Sequence, residues 1–313
     1  MTRLLITGAS GLLGLNLALA ASSRAGRPNA GYQVTGLVHS HGLAGAPFAV
    51  RAVDLYCCDQ VTNVLDETRP EIVINCAAVT NLDAVESNPA PAWRLNADLP
   101  GWLAKECTHR EIRFVHISTD AIFDGLRGGY TEEDVPFPPN VYARSKLAGE
   151  AAVFEANPQA IVARVNFYGW SISGQRSLAE WFLTNLAAGR QIKGFTDIFF
   201  CPLLANHLAG LLLEMVEQHL AGLYHVVSRD GMSKYAFGQA LARQFHLDES
   251  LISPASNLEA GLTARRSPNM TLCTDKLAAA LGIALPDVAS GIAQFYNLYT
   301  EGYPQRLRSF DKI

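Results

Sequence analysis

The first fifty-three residues contain no aspartate or glutamate; Asp54 is the first acidic side chain. Charge is sparse throughout, at 17% of the 313 residues, and it never gathers into a long run of one sign. With a net charge of −4 and a pI near 6.1, the chain has no broad basic surface of the kind that holds nucleic acid or an anionic membrane. The six cysteines (Cys57, Cys58, Cys76, Cys107, Cys201 and Cys273) include no CxxC pair and no cluster with histidine. That excludes the common zinc spacings and points to reduced thiols in a cytoplasmic protein. No apolar run approaches the ~20 residues of a membrane span. Arg3 and the apolar stretch to Leu19, ending in Ala20-Ala21-Ser22, loosely imitate a secretory signal. Cleavage there would remove the strongest motif in the chain, so the stretch is expected to be part of the fold.

What is present is alternation. Short, nearly all-apolar runs at 4–7, 33–38, 49–53, 72–75, 113–117 and 161–165 read as strands buried on both faces. Helical patterns fall between them, at 12–23, 99–109 and 141–156. This is the signature of βαβ units, and it predicts an α/β fold with a doubly wound parallel sheet. After Val165 the alternation loosens: helices are expected at 177–188, 206–219, 233–245, 274–281 and 286–296, with one strand at 223–227. The expected division is a dinucleotide-binding domain over 1–165, with a returning segment near 198–227, and a smaller C-terminal substrate-binding lobe from 166–197 and 228–313.

The first strand runs into Gly8-Ala9-Ser10-Gly11-Leu12-Leu13-Gly14 and then a helix. Glycines let the backbone turn sharply and meet a pyrophosphate without an intervening side chain, while the helix N-terminus offers free N–H groups. Between a first strand and a first helix, such a turn is a dinucleotide-binding signal. The fourth strand leaves through Asn75-Cys76-Ala77-Ala78, and the fifth ends in Ser118-Thr119-Asp120 at the edge where ligands of parallel sheets bind. Tyr142 and Lys146 follow, four apart and so on one helical face. Reducing a ketone by hydride requires a proton for the developing oxyanion. A phenol of ordinary pKa ~10 supplies it when a nearby cation stabilises the phenolate.

The GxxGxxG spacing and the Tyr142/Lys146 pair resemble the extended short-chain dehydrogenase/reductase family. Further segments resemble its dTDP-4-dehydrorhamnose reductase branch: 118–125, the stretch from Thr80 to Glu86 followed by Leu95-Asn96-Ala97, and Arg265-Arg266-Ser267-Pro268-Asn269 leading to Leu277. The resemblance implies a 4-keto sugar nucleotide as substrate and catalysis by Thr119, Tyr142 and Lys146. It implies cofactor contacts from Gly8, Gly11, Leu12, Leu13, Gly14, His39, Ser40, Asp54, Leu55, Cys76, Ala77, Ala78, Asn96, Ser118, Tyr142 and Lys146. Thr80, Asp120, Asn166 and Phe167 would meet the substrate. NADP(H) is expected over NAD(H), because no carboxylate ends the second strand and Arg24, Arg27 and Arg51 lie in the same stretch.

The departures narrow less well. Ala121 stands where the branch has Tyr, Cys201-Pro202 replaces a Ser/Thr-Pro pair, and the segment 164–169 is one residue shorter and lacks a Trp. Asn16 occupies the place of a metal-bridging glutamate, so no metal is expected, and the protein is expected to be a monomer or homodimer. Two alternatives remain open: a non-catalytic NADP-binding subunit like that of methionine adenosyltransferase, and a sugar-nucleotide epimerase or dehydratase.

Overall fold

Alternate residues of the first strand belong to different cores, as a strand covered on both faces requires. In the computed structural model, which describes residues 1–24, 31–257 and 267–311, this strand is β1 (Thr2–Thr7). Leu4 and Ile6 join Ile74, Val115 and Ala163 on one face, and Leu5 joins Val73, Phe114 and Val162 on the other. Seven parallel strands make up the sheet: β2 (Tyr32–Val38), β3 (Ala49–Ala52), β4 (Ile72–Asn75), β5 (Arg113–Thr119), β6 (Ile161–Val165) and β7 (Gly222–Val226) complete it. Their order is β7-β6-β5-β4-β1-β2-β3. The chain therefore winds away from β1 in both directions, and a crevice opens where β1 and β4 end. This is the doubly wound parallel sheet expected from the alternation.

Labels α1–α8 denote the helices of ten or more residues. α1 (Leu12–Ser23) and α6 (Ala205–Glu217) cover the first face; α2 (Cys58–Thr68), α3 (Leu99–His109) and α4 (Val141–Ala156) cover the second. α1 is apolar all round because it is buried all round. Its Leu13 and Leu17 face the sheet, while Leu15 and Leu19 pack against Tyr168, Trp170 and Phe295 from the later chain. The stretch that imitates a signal peptide is β1, the glycine turn and this core helix. Asn16 is fully used there: its amide donates to Leu12 O at 2.7 Å and Trp170 O at 3.0 Å and accepts from the Tyr303 hydroxyl at 2.8 Å.

Beyond β6, α5 (Leu178–Ala187), α7 (Lys234–Gln244) and α8 (Val288–Thr300) enclose an aromatic core in which Trp170 stacks on Phe295 at 4.1 Å. β7 carries the chain back to pair with β6. Most boundaries fall within two residues of expectation, but α8 runs to Thr300 and starts after Asp287, whose side chain caps it through Ser290 N. α2 has no counterpart in the sequence reading, because only Val61 and Leu65 of it are buried. Arg265 and Arg266 lie outside the described residues. No helix among the described residues is long and apolar enough to cross a membrane.

One buried ion pair fastens α4 to the sheet. Arg164 of β6 meets both carboxylate oxygens of Glu150, at 2.8–3.2 Å, with both side chains about 5% exposed. Removing one partner strands the other charge in a low-dielectric interior, which costs about 3–5 kcal/mol. Arg164→Met should lower stability to urea by that amount, and adding Glu150→Leu should recover most of it. A single-mutant loss below about 1 kcal/mol would contradict the pairing's role.

Candidate active site

Backbone geometry at the crevice explains the glycines. Gly8 has φ +64°, a left-handed conformation costly to other residues, and a Cβ there would stand 3.0 Å from Ala77 Cα and N. Gly14 packs so tightly on the turn that a Cβ would lie 2.2 Å from Gly8 O. Gly11 caps α1 without a side-chain hydrogen bond, and no acid occupies the helix's first turn. The positive end of α1 thus faces a cleft of about 550 Å³ with its N–H groups uncovered. Gly11 to Gly14, Cys76, Ala78, Thr80, Ser118, Tyr142, Lys146 and Phe167 all line this cleft.

α4 delivers the catalytic candidates. Asn140 starts it, its side chain accepting from Ala143 N. Lys146 is 2% exposed, and its Nζ donates to Ile117 O at 2.7 Å and lies 3.3 Å from His116 Nε2. Burial pulls its pKa down to about 8, against the opposing charges of Glu150 and Cys76. Half-buried Tyr142 is pushed up to about 12 by burial, a shift that its hydrogen bond with Thr119 opposes and the charge of Asp120 reinforces. At neutral pH Tyr142 is a phenol holding its proton.

Thr119 also accepts from Ala121 N at 3.2 Å and bonds Asp120 Oδ1 at 3.3 Å. Asp120 is 3% exposed, and Asn166 Nδ2 donates to its other oxygen at 2.6 Å. Burial raises the Asp120 carboxyl to about 6, although the bonds from Asn166 and Thr119 oppose the shift. Thr119, Asp120, Tyr142 and Asn166 therefore form one connected group.

The remaining candidates divide. Asn96, 0% exposed, spends its side chain on Val79 N, Val79 O and Ser145 Oγ at 2.9–3.1 Å, so it braces the cleft wall against α4. It sits in a π-turn, Arg94–Asp98, seated so closely on α4 that a Cβ on Gly149 would lie 2.1 Å from Asn96 O. Ala77 is buried and donates its N–H to Thr7 Oγ1 at 3.2 Å. Leu55 packs into the core of the second face. His39 and Ser40 are exposed at the end of β2. β3 runs parallel beside β2, and Asp54 Oδ1 lies 4.0 Å from His39 Nε2. A carboxylate is near after all. Arg24 pairs with Glu217, Arg51 lies 3.7 Å from Glu67 on the exposed surface, and Arg27 lies outside the described residues.

Sequence reasoning missed Arg176. It lines the cleft opposite the glycine turn, and its Nη1 donates to Ser10 O at 3.1 Å. Buried Glu180 holds its loop by accepting from Ser171 N, Arg176 N and Ser177 N at 2.7–3.1 Å. The Ser177–Glu180 capping box was the available signal. Arg176 makes no ion pair among the described residues.

A parallel sheet with a glycine turn at its switch point, facing a Thr-Tyr-Lys group, defines an NAD(P)-dependent oxidoreductase of the extended short-chain type. The chain belongs to the RmlD substrate binding domain family, whose profile matches residues 1–301. It is 34% identical to "Probable low-salt glycan biosynthesis reductase Agl14" of Haloferax volcanii, covering 92% of this chain and 95% of that one. It is 32% identical to dTDP-4-dehydrorhamnose reductase of Mycobacterium tuberculosis, over 89% and 87%. Methionine adenosyltransferase 2 subunit beta of Rattus norvegicus is 30% identical, over 88% and 81%. The solved dTDP-4-dehydrorhamnose reductase of Bacillus anthracis, in complex with NADP, superposes with a TM-score of 0.82 at 25% identity, covering 95% of this chain and 99% of that one.

Asp120 gives the site a pH signature. Its folded pKa, about 6, exceeds the ordinary 3.8, so its contribution to stability is fully present below about 3.8 and is lost as pH rises through about 6. Asp120→Asn removes this dependence. In urea titrations, wild type should lose on the order of 2–3 kcal/mol relative to the variant between pH 4 and pH 7.5. A constant difference would show that the carboxyl is not strained by burial.

Proposed function

We propose that this protein reduces a 4-keto sugar nucleotide with NADPH, Tyr142 giving the proton. The observation that carries the reading is the convergence of Tyr142 and Lys146 on the cleft that the α1 N-terminus also faces, with Thr119 hydrogen-bonded to Tyr142. The residues present fit a dinucleotide: a Cβ on Gly14 would collide with Gly8 O, one on Gly8 or Gly11 would stand only 3.0 Å from backbone, and α1 presents uncovered N–H groups. The diphosphate would rest there, with Arg176 above it. When bound, the nicotinamide supplies the hydride. The other steps belong to side chains. Thr119 Oγ1 orients the substrate carbonyl, and Tyr142 Oη, a phenol at neutral pH, protonates the far more basic alkoxide oxygen as it forms. Lys146, cationic below about pH 8, holds the ribose hydroxyls and favours the phenolate left behind. Asp120 and Asn166, bonded to each other, offer polar atoms to the sugar, and Thr80 and Phe167 shape its entry.

The relatives support this reading by name, and NADP is the ligand in the Bacillus anthracis structure. The similarity to an adenosyltransferase subunit supports a binding role instead, and turnover separates the two. Tyr142→Phe keeps the ring and removes the proton. NADPH oxidation with dTDP-4-dehydrorhamnose should fall at least a thousandfold while NADPH affinity changes less than about threefold. Turnover within threefold of wild type would overturn the assignment.

His39 and Ser40 offer hydrogen bonds to a 2′-phosphate, and Asp54 beside His39 opposes them. NADPH should therefore bind more tightly than NADH by about three- to tenfold, and the gap should narrow at high salt. Calorimetric titration of both cofactors at two ionic strengths checks this. Tighter NADH binding under both conditions would show that Asp54 dominates.

A further inference from the structure

His116 is completely buried directly beneath Lys146, yet the mechanism above gives it no task. Strand register explains its surroundings. Thr7, Asn75 and His116 are cross-strand partners on β1, β4 and β5, and their side chains form a polar row two residues beyond the apolar row of Leu5, Val73 and Phe114. Thr7 Oγ1 donates to Asn75 Oδ1 at 2.6 Å, Asn75 Nδ2 lies 3.2 Å from His116 Nδ1, and His116 Nε2 lies 3.3 Å from Lys146 Nζ.

Hydrogen-bond chemistry restricts the protons in this row. An amide NH2 only donates, so His116 Nδ1 facing it must accept, and the ring proton then sits on Nε2. That N–H points at Lys146 Nζ, which has a lone pair to receive it only as a neutral amine. When Lys146 is an ammonium it must donate to Nε2 instead. The ring proton then moves to Nδ1, and Nδ1–H needs the carbonyl end of Asn75. Turning the Asn75 amide by half a turn supplies it, and the Thr7 hydroxyl adjusts by accepting where it had donated. Each arrangement belongs to one charge on the lysine; in the second, Thr7 Oγ1 accepts from Asn75 Nδ2 as well as Ala77 N, and its own proton gives up Asn75 Oδ1 as acceptor. Doubly protonated His116 belongs to neither, because burial and the lysine charge both hold its pKa well below the ordinary value.

We propose that His116 is a positioning residue for Lys146, and that its tautomer and the orientation of the Asn75 amide switch together with the lysine's charge. This deepens the reading of Lys146 given above and rests on it for its catalytic meaning. The other titratable groups around Nζ are Glu150 one turn along α4, Cys76 after β4, and Tyr142, which lines the same cleft one turn before it; Arg164 neutralises Glu150.

The test needs no substrate. In protein labelled with 15N-histidine and 13C-lysine, NMR follows the His116 ring nitrogens and Lys146 Cε from pH 6 to pH 10. His116→Gln assigns the ring signals. His116 should remain neutral throughout and change from the Nδ1–H to the Nε2–H form, with the same midpoint as Lys146, near pH 8. Lys146→Met should abolish the change, and His116→Gln should move the Lys146 midpoint by about one pH unit. A ring that keeps one tautomer across the range, or that becomes doubly protonated, would overturn the proposal. Tyr142→Phe separates this result from the catalytic reading: it should leave the tautomer change intact even as turnover is lost. A variant that kept both would sink the proton-donor role alone.

Discussion

The burial of Lys146 and Glu150, one turn apart on α4, is the constraint on which the site depends. Two charged groups enter a sheet face that is otherwise apolar, and neither is tolerable there without partners. Two polar rows at the C-terminal ends of the strands supply them. Lys146 lands on the row of Thr7, Asn75 and His116; Glu150 lands on the row of Ser118, Arg164 and His225, register partners on β5, β6 and β7. His225 stays neutral, pulled down to about 4 by burial and the neighbouring guanidinium. The sheet thus fixes the rotation of α4 about its axis, and that rotation aims Tyr142 and Lys146 into the cleft.

Several features tighten around that placement. Gly149 lets α4 approach the π-turn at Asn96, and Asn96 in turn holds the strand exit at Val79. Gly8 lies against Ala77, so the nucleotide turn and the exit from β4 form a single wall. The family's glycine and asparagine signals therefore report close approach of backbone to backbone as much as contact with ligand.

Much of this was legible in the sequence because the physics involved is local or periodic. Strands buried on both faces read as short apolar runs, and the glycine turn and the Tyr142/Lys146 spacing are compact motifs. What escaped was set by proximity between distant segments. Asp54 reaches His39 only because β3 lies beside β2; Arg176 comes over the glycine turn from a loop more than 150 residues away. The π-turn arises from packing against Gly149, and α2 buries only two residues on a largely polar helix. The contacts of Lys146 with β5 also escaped: Nζ donates to Ile117 O at 2.7 Å and lies 3.3 Å from His116 Nε2, thirty residues earlier in the chain.

The proposed activity, reduction of a carbonyl on a nucleotide-linked sugar, rests on the family membership and on the connected Thr119–Asp120–Tyr142–Asn166 group. The most direct measurement is NADPH absorbance after addition of dTDP-4-dehydrorhamnose to the purified protein. The account predicts multiple-turnover loss of absorbance with one 4-hydroxy sugar nucleotide formed per NADPH consumed. Tight NADPH binding without any loss of absorbance, across a panel of 4-keto nucleotide sugars, would contradict it.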